Sequence, residues 1–186
     1  MANVDVALRP TLPTASVAAA PQRIVALAFD SPLLAQQALL AALSLQENGE
    51  LALHDAVFVS RTEEAPAEVI ETMDPTAVAA AVPSSLFGAL VGTLVAGPLG
   101  FLIGGVLAGG TGALVAKLIE TGIPDQVIQQ LRELTKPGQT VLALLVSNWG
   151  PAAVVEQLNR FVGAHVVYAE LPPASLEVVR QALHDR

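Results

Sequence analysis

The chain of 186 residues contains no cysteine, which excludes disulfides, thiolate metal sites and cysteine nucleophiles. Charge is scarce as well: 14% of residues are Asp, Glu, Lys or Arg, against about 25% in an ordinary soluble domain. Hydrophobic residues reach 53%, so the polar side chains are too few to cover a whole surface, and part of that surface should face protein or lipid. The nine Lys and Arg are scattered singly and the net charge is −8. Nucleic acid is excluded as a partner, because binding it needs clustered cations that displace phosphate counterions. Aromatic residues are also few, with one tryptophan, Trp149.

What is present begins with a tail. Residues 1–22 contain Ala18-Ala19-Ala20 but lack a basic start and a continuous apolar stretch, and Pro10 and Pro13 interrupt them. They read as a flexible tail rather than a secretory signal. Residues 23–186 read as one domain.

Within it, Arg23 to Ser60 and Thr140 to Leu171 resemble each other. Each reads as buried strand, helix, glycine stop and second strand. Ser31 before Pro32 predicts a helix N-terminus, and Gly49 and Gly163 stand where a helix end favours positive φ. Two strand–helix–strand units predict an α+β fold, a ferredoxin-like sandwich with the first and third strands central. Ile24–Phe29 and Val141–Val146 are apolar without alternation, as expected of strands covered on both faces. "HDAVFVS" and "HVVYAEL" carry polar residues and read as edges. Such a sandwich covers one sheet face with its own helices. The second face must be covered by the inserted segment or by another copy of the sheet. The first helix, Ser31 to Gln46, carries no charge and also looks incompletely solvated.

The connector "RTEEAPAEVIETMDP" is acidic, without the ligand spacing of a calcium loop, and reads as a solvated loop. The insert, 75–122, follows, and no charge occurs between Pro75 and Ala116. Pro98 should divide it into a hairpin of two helical arms, Ser84–Ala96 and Leu99–Ile119. Gly88 with Gly92, Gly100 with Gly104, and Gly105 with Gly109 are four apart, the spacing that lets helix backbones approach closely. With Gly97, these glycines form the expected oligomerisation or membrane hairpin. Spanning a bilayer takes about 20 apolar residues, which the second arm reaches and the first does not. Beyond the hairpin, Pro124 opens an amphipathic helix with Val127, Ile128, Leu131 and Leu134 on its apolar stripe, closed by Lys136 and Gly138. A short helix, Ala174–His184, ends the pattern.

The "ALAFDS" strand exit, the "ALHDAVFVSR" strand, the glycine-rich hairpin, "IETGIPDQVIQQL" and "KPGQTVLALLV" occur in an order that resembles an uncharacterised prokaryotic family. That family is usually labelled "predicted membrane protein", the domain of unknown function twelve-sixty-nine. The resemblance implies membrane attachment or assembly and brings no catalytic residues.

Chemistry is sparse. His54, His165 and His184 have no metal-like spacing, so no metal or cofactor is expected. Asp30-Ser31 sits at a strand end, but Ser31 already has a capping role. "GGTGALVAK" lacks the G-K-S/T order of a phosphate loop. Trp149 suits an interface anchor or loop packing. The expected function is therefore a non-enzymatic, self-assembling or membrane-associated structural protein. Its partners would be other copies of itself and a lipid bilayer, on the cytoplasmic side of a membrane or in a lipid-free assembly. The alternative is a sensor domain holding a small molecule at a subunit interface, by analogy of fold alone.

Overall fold

A computed structural model describes residues 20–61, 68–71, 84–100, 111–161 and 163–184. The elements run β1 (Arg23–Phe29), α1 (Pro32–Glu47), β2 (Ala52–Ser60), β3 (Glu68–Glu71), α2 (Ser84–Gly100), α3 (Thr111–Glu120), α4 (Asp125–Leu134), β4 (Thr140–Ser147), α5 (Pro151–Leu158), β5 (His165–Glu170) and α6 (Pro173–His184). The fold is α+β. One antiparallel sheet has the order β3-β2-β4-β1-β5.

Local chemistry explains the element ends. Ser31 is extended (φ −141°) and its side chain accepts from the Leu33 N–H, with Pro32 supplying a helical φ at the first position. Gly49 (φ +74°) and Gly163 (φ +87°) take the left-handed conformation at the helix exits. In α4, Ile128, Leu131 and Leu134 form the buried stripe behind Pro124, as their spacing predicts.

β1 and β4 are buried along nearly their whole length and lie side by side inside the sheet. Their two sets of side chains enter two separate cores. Val25, Leu27, Phe29, Leu142, Leu144 and Val146 pack with Ala35, Ala38, Ala42 and Leu45 of α1 and with Val154 of α5. Ile24, Ala26, Ala28, Val141, Ala143 and Leu145 pack under α2, α3, α4 and α6. The second sheet face is thus covered by the same chain, in part by α2 and α3 of the inserted segment and in part by α4 and α6.

Three expectations require correction. The acidic connector is not loop throughout: Glu68–Glu71 pairs with Val57–Ser60, since Val69 and Ile70 supply the β-branched residues a strand favours. β2 is therefore an edge only over its first half. Pro98 does not divide the hairpin after Ala96, because α2 continues to Gly100. A proline there removes the N–H that would bond the Leu94 carbonyl. The Arg132 Nε–H of α4 donates to that oxygen instead, at 3.1 Å. Of the expected arm Leu99–Ile119, Leu99 and Gly100 end α2, residues 101–110 lie outside the described residues, and α3 supplies the rest.

Residues 86–95 of α2 are all buried. A helix apolar on every side belongs inside a structure, and α2 packs against β2 and β3 of the sheet and against α3, α4 and α6. Its one polar side chain in that stretch, Thr93, donates to the Ala89 carbonyl at 2.7 Å and so costs little to bury. Among the described residues no helix is long and apolar enough to cross a membrane.

Candidate functional site

The glycines expected to carry association are placed unevenly. Gly88 and Gly92 are buried in α2, inside the fold. Gly97 and Gly100 lie in the last turns of that helix. Gly104, Gly105 and Gly109 lie outside the described residues, as does the tail up to residue 19.

The apolar surface lies elsewhere. α1 buries alanines at 35, 38 and 42 together with Leu45, and turns three of its leucines outward: Leu33 is 61% exposed, Leu34 42% and Leu40 64%. Val155 of α5 is 52% exposed on the same side of the sheet. Small residues inside and large ones outside invert the usual helix. Alanines let α1 sit close to the strands, and the exposed leucines add nothing to the stability of an isolated chain. A cavity of about 40 Å³ lies between α1, α5 and the sheet, walled by Val25, Ala38, Leu45, Trp149, Val154 and Phe161. Phe161 meets Phe29 edge to face, centroids 5.7 Å apart. Trp149 packs against this core and is half-buried.

A polar constellation that sequence reasoning missed lies at the end of β4. The register of β2 against β4 shifts between Leu53 and Asp55, so His54 is an extra residue in β2. Its Nε2 is hydrogen-bonded to Ser147 Oγ at 2.7 Å. Burial lowers the His54 pKa from the ordinary 6.5 and favours the neutral ring. Beside it, buried Asp55 accepts the Ala56 N–H through Oδ1 at 2.7 Å. Asn148, at φ +50°, turns the chain, and the Gly150 N–H donates to the Glu50 carbonyl at 2.6 Å. A Cβ at 150 would lie 3.1 Å from that oxygen and 2.6 Å from the Glu50 carboxylate, so glycine makes the close approach easy. A serine beside a neutral histidine has the elements of a nucleophile and base. Ser147, however, is only 4% exposed, and its hydroxyl joins two strands rather than facing a substrate. The signal in sequence was slight, a His-Asp pair inside an apolar strand.

Asp30 and Ser31 are occupied structurally: Asp30 Oδ1 accepts from Gln139 Nε2 at 3.2 Å, and Ser31 caps α1. His54, His165 and His184 are dispersed over β2, β5 and α6. No group of three potential metal ligands occurs among the described residues. A polar groove of about 350 Å³ between α4 and β5 is lined by Gln130, Glu133, Lys136, Gln139, His165 and Val167.

Fold and site together define an α+β domain with one antiparallel sheet, two helical layers and an apolar outer helix. The chain belongs to the family described as "Protein of unknown function (DUF1269)", which it matches over residues 81–184. That range runs from α2 to α6 and omits β1, α1, β2 and β3. No curated protein and no solved structure matches the chain.

Proposed function

We propose that this protein is a non-enzymatic structural protein that associates with copies of itself, built as a ferredoxin-like sandwich with an inserted glycine-rich helical hairpin. The observation that carries this reading is the outer face of α1, where Leu33, Leu34 and Leu40 are exposed on a helix without a charge before Glu47. Burying a leucine contributes roughly 1.5–3 kcal/mol, so three of them, met by their counterparts on a second chain, supply a substantial association term. The strand order supports the sandwich, since β1 and β4 are neighbours within the sheet and α1 and α5 share one face. On the opposite face the insert acts as the cover, with Gly88 and Gly92 allowing α2 to pack closely. We favour a protein-only assembly over a membrane-attached one, because residues 86–95 are already enclosed by the chain's own elements.

The test is the particle mass in solution across a concentration series, for the native chain and for the Leu33→Lys, Leu40→Lys double variant. The native chain should form particles of more than one copy, and the variant should be smaller while keeping its far-UV spectrum. A native chain monomeric at every concentration would overturn the reading. The cavity between α1 and α5 favours a second one, a regulatory domain for a small apolar molecule. It predicts a thermal shift with such a ligand that Ala38→Phe abolishes.

A further inference from the structure

We infer that β5 is the strand through which a second copy of this chain extends the sheet, across a two-fold axis centred on Val167. The inference rests on the self-association proposed above and names a contact for it.

The two edges of the sheet are unlike. β3 has four residues and begins and ends with glutamate, which discourages pairing with another strand. β5 has six residues, His165 to Glu170, with neither Lys nor Pro, and among the described residues it pairs with β1 alone. His165 and Glu170 are exposed at its ends, and between them Val166 is 40% exposed and Tyr168 69%. The register opposes Val166 to Leu27 and Tyr168 to Val25, so both project on the side of α1 and α5. Neither helix covers them.

Symmetry selects the register. Directly opposed residues must share a sheet face, and a two-fold axis normal to the sheet keeps the faces in common. Centring that axis on Val167 sets Val166 opposite the second copy's Tyr168, and Tyr168 opposite its Val166. Aromatic and β-branched residues are a favourable cross-strand pair. Centring it on Tyr168 would instead set Val166 against Glu170, leaving an apolar side chain beside a carboxylate. On the other face, the groove between α4 and β5 carries Glu133 and Lys136. A two-fold axis sets the two grooves side by side with acid and base in opposite order, which permits unlike charges to pair.

Because the protein has no cysteine, the contact is testable by introducing one. Full-length Val167→Cys and Leu40→Cys are each oxidised and run without reductant, and the mass of Tyr168→Lys is measured beside the native chain. The inference expects a cross-linked pair from Val167→Cys and a fall in mass for Tyr168→Lys with its melting curve retained. Cross-linking through Leu40→Cys alone, with Tyr168→Lys still associated, would overturn the β5 contact and leave self-association standing. A monomeric native chain would overturn both. Hydrogen exchange closes the remaining alternative. Amides of residues 165–170 protected in a monomer, and exposed once residues 1–19 are deleted, would make the N-terminal segment the occupant and overturn the inference.

Discussion

At His54 the chain places a titratable ring where burial favours its neutral form. The sign of the pH effect follows. The unfolded ring binds its proton near pH 6.5, and the folded ring binds it only at lower pH. Between those values the unfolded state holds more protons, so stability falls as the pH drops below about 6.5. Urea midpoints at pH 7.5 and pH 5 should show this loss in the native chain, with a smaller difference in His54→Gln. Equal differences in both would mean that other groups set the acid sensitivity. Residues with local roles were legible in the sequence. Ser31 caps a helix two residues away, and Gly49 and Gly163 need only their own φ. The hydrogen bond from His54 to Ser147 joins residues 93 apart, and only the strand register brings them together.

Among the elements, α2 departs most from ordinary expectation. Its sequence suggests lipid or a neighbouring subunit, yet the chain's own sheet and helices surround it. Charge-free composition reports burial without naming what does the burying, so the reading of its partner stayed open. The amphipathic α4 was legible because its stripe and its stops are local. β3 was not, since four residues, two of them its terminal glutamates, carry little periodicity and the pairing with β2 decides the outcome. The continuation of α2 past Pro98 depends on Arg132, another distant residue. As α2 is central, Phe87→Ala should cost about 3–5 kcal/mol, being a fully buried aromatic removed from the larger core. Chemical denaturation would show the loss as a lower midpoint. A cost below about 1 kcal/mol would mean that α2 is not part of the cooperative core.

For the molecule as a whole, the antiparallel α+β class was legible from the two similar segments, and the cover of the second sheet face was one of two foreseen answers. The absence of charge between Ser31 and Gln46 marked α1 as incompletely solvated, but not which leucines face outward, because helix periodicity there is weak and alanine serves as core. Family membership adds a further point. The matched residues, 81–184, contain β4 and β5 but omit β1, which stands between them in the sheet. A fragment of residues 81–184 should therefore lack a cooperative thermal transition, and restoring residues 20–80 should return it. A fragment that melts sharply alone would show that β4 and β5 find another pairing.

The position of β1 also has a consequence in time. Arg23 forms an ion pair with Glu170, 147 residues later, and β1 meets both of its neighbours only once β4 and β5 have been made. At about 5–20 residues per second, a ribosome leaves this apolar strand with two open sides for roughly 6–24 s, until β4 is complete. During that interval "RIVALAF" is open to any strand in the cell, including β1 of a neighbouring chain on the same message. The protein's yield should then be governed by translation speed and by the holding chaperones it meets, more than by the stability of what it finally becomes.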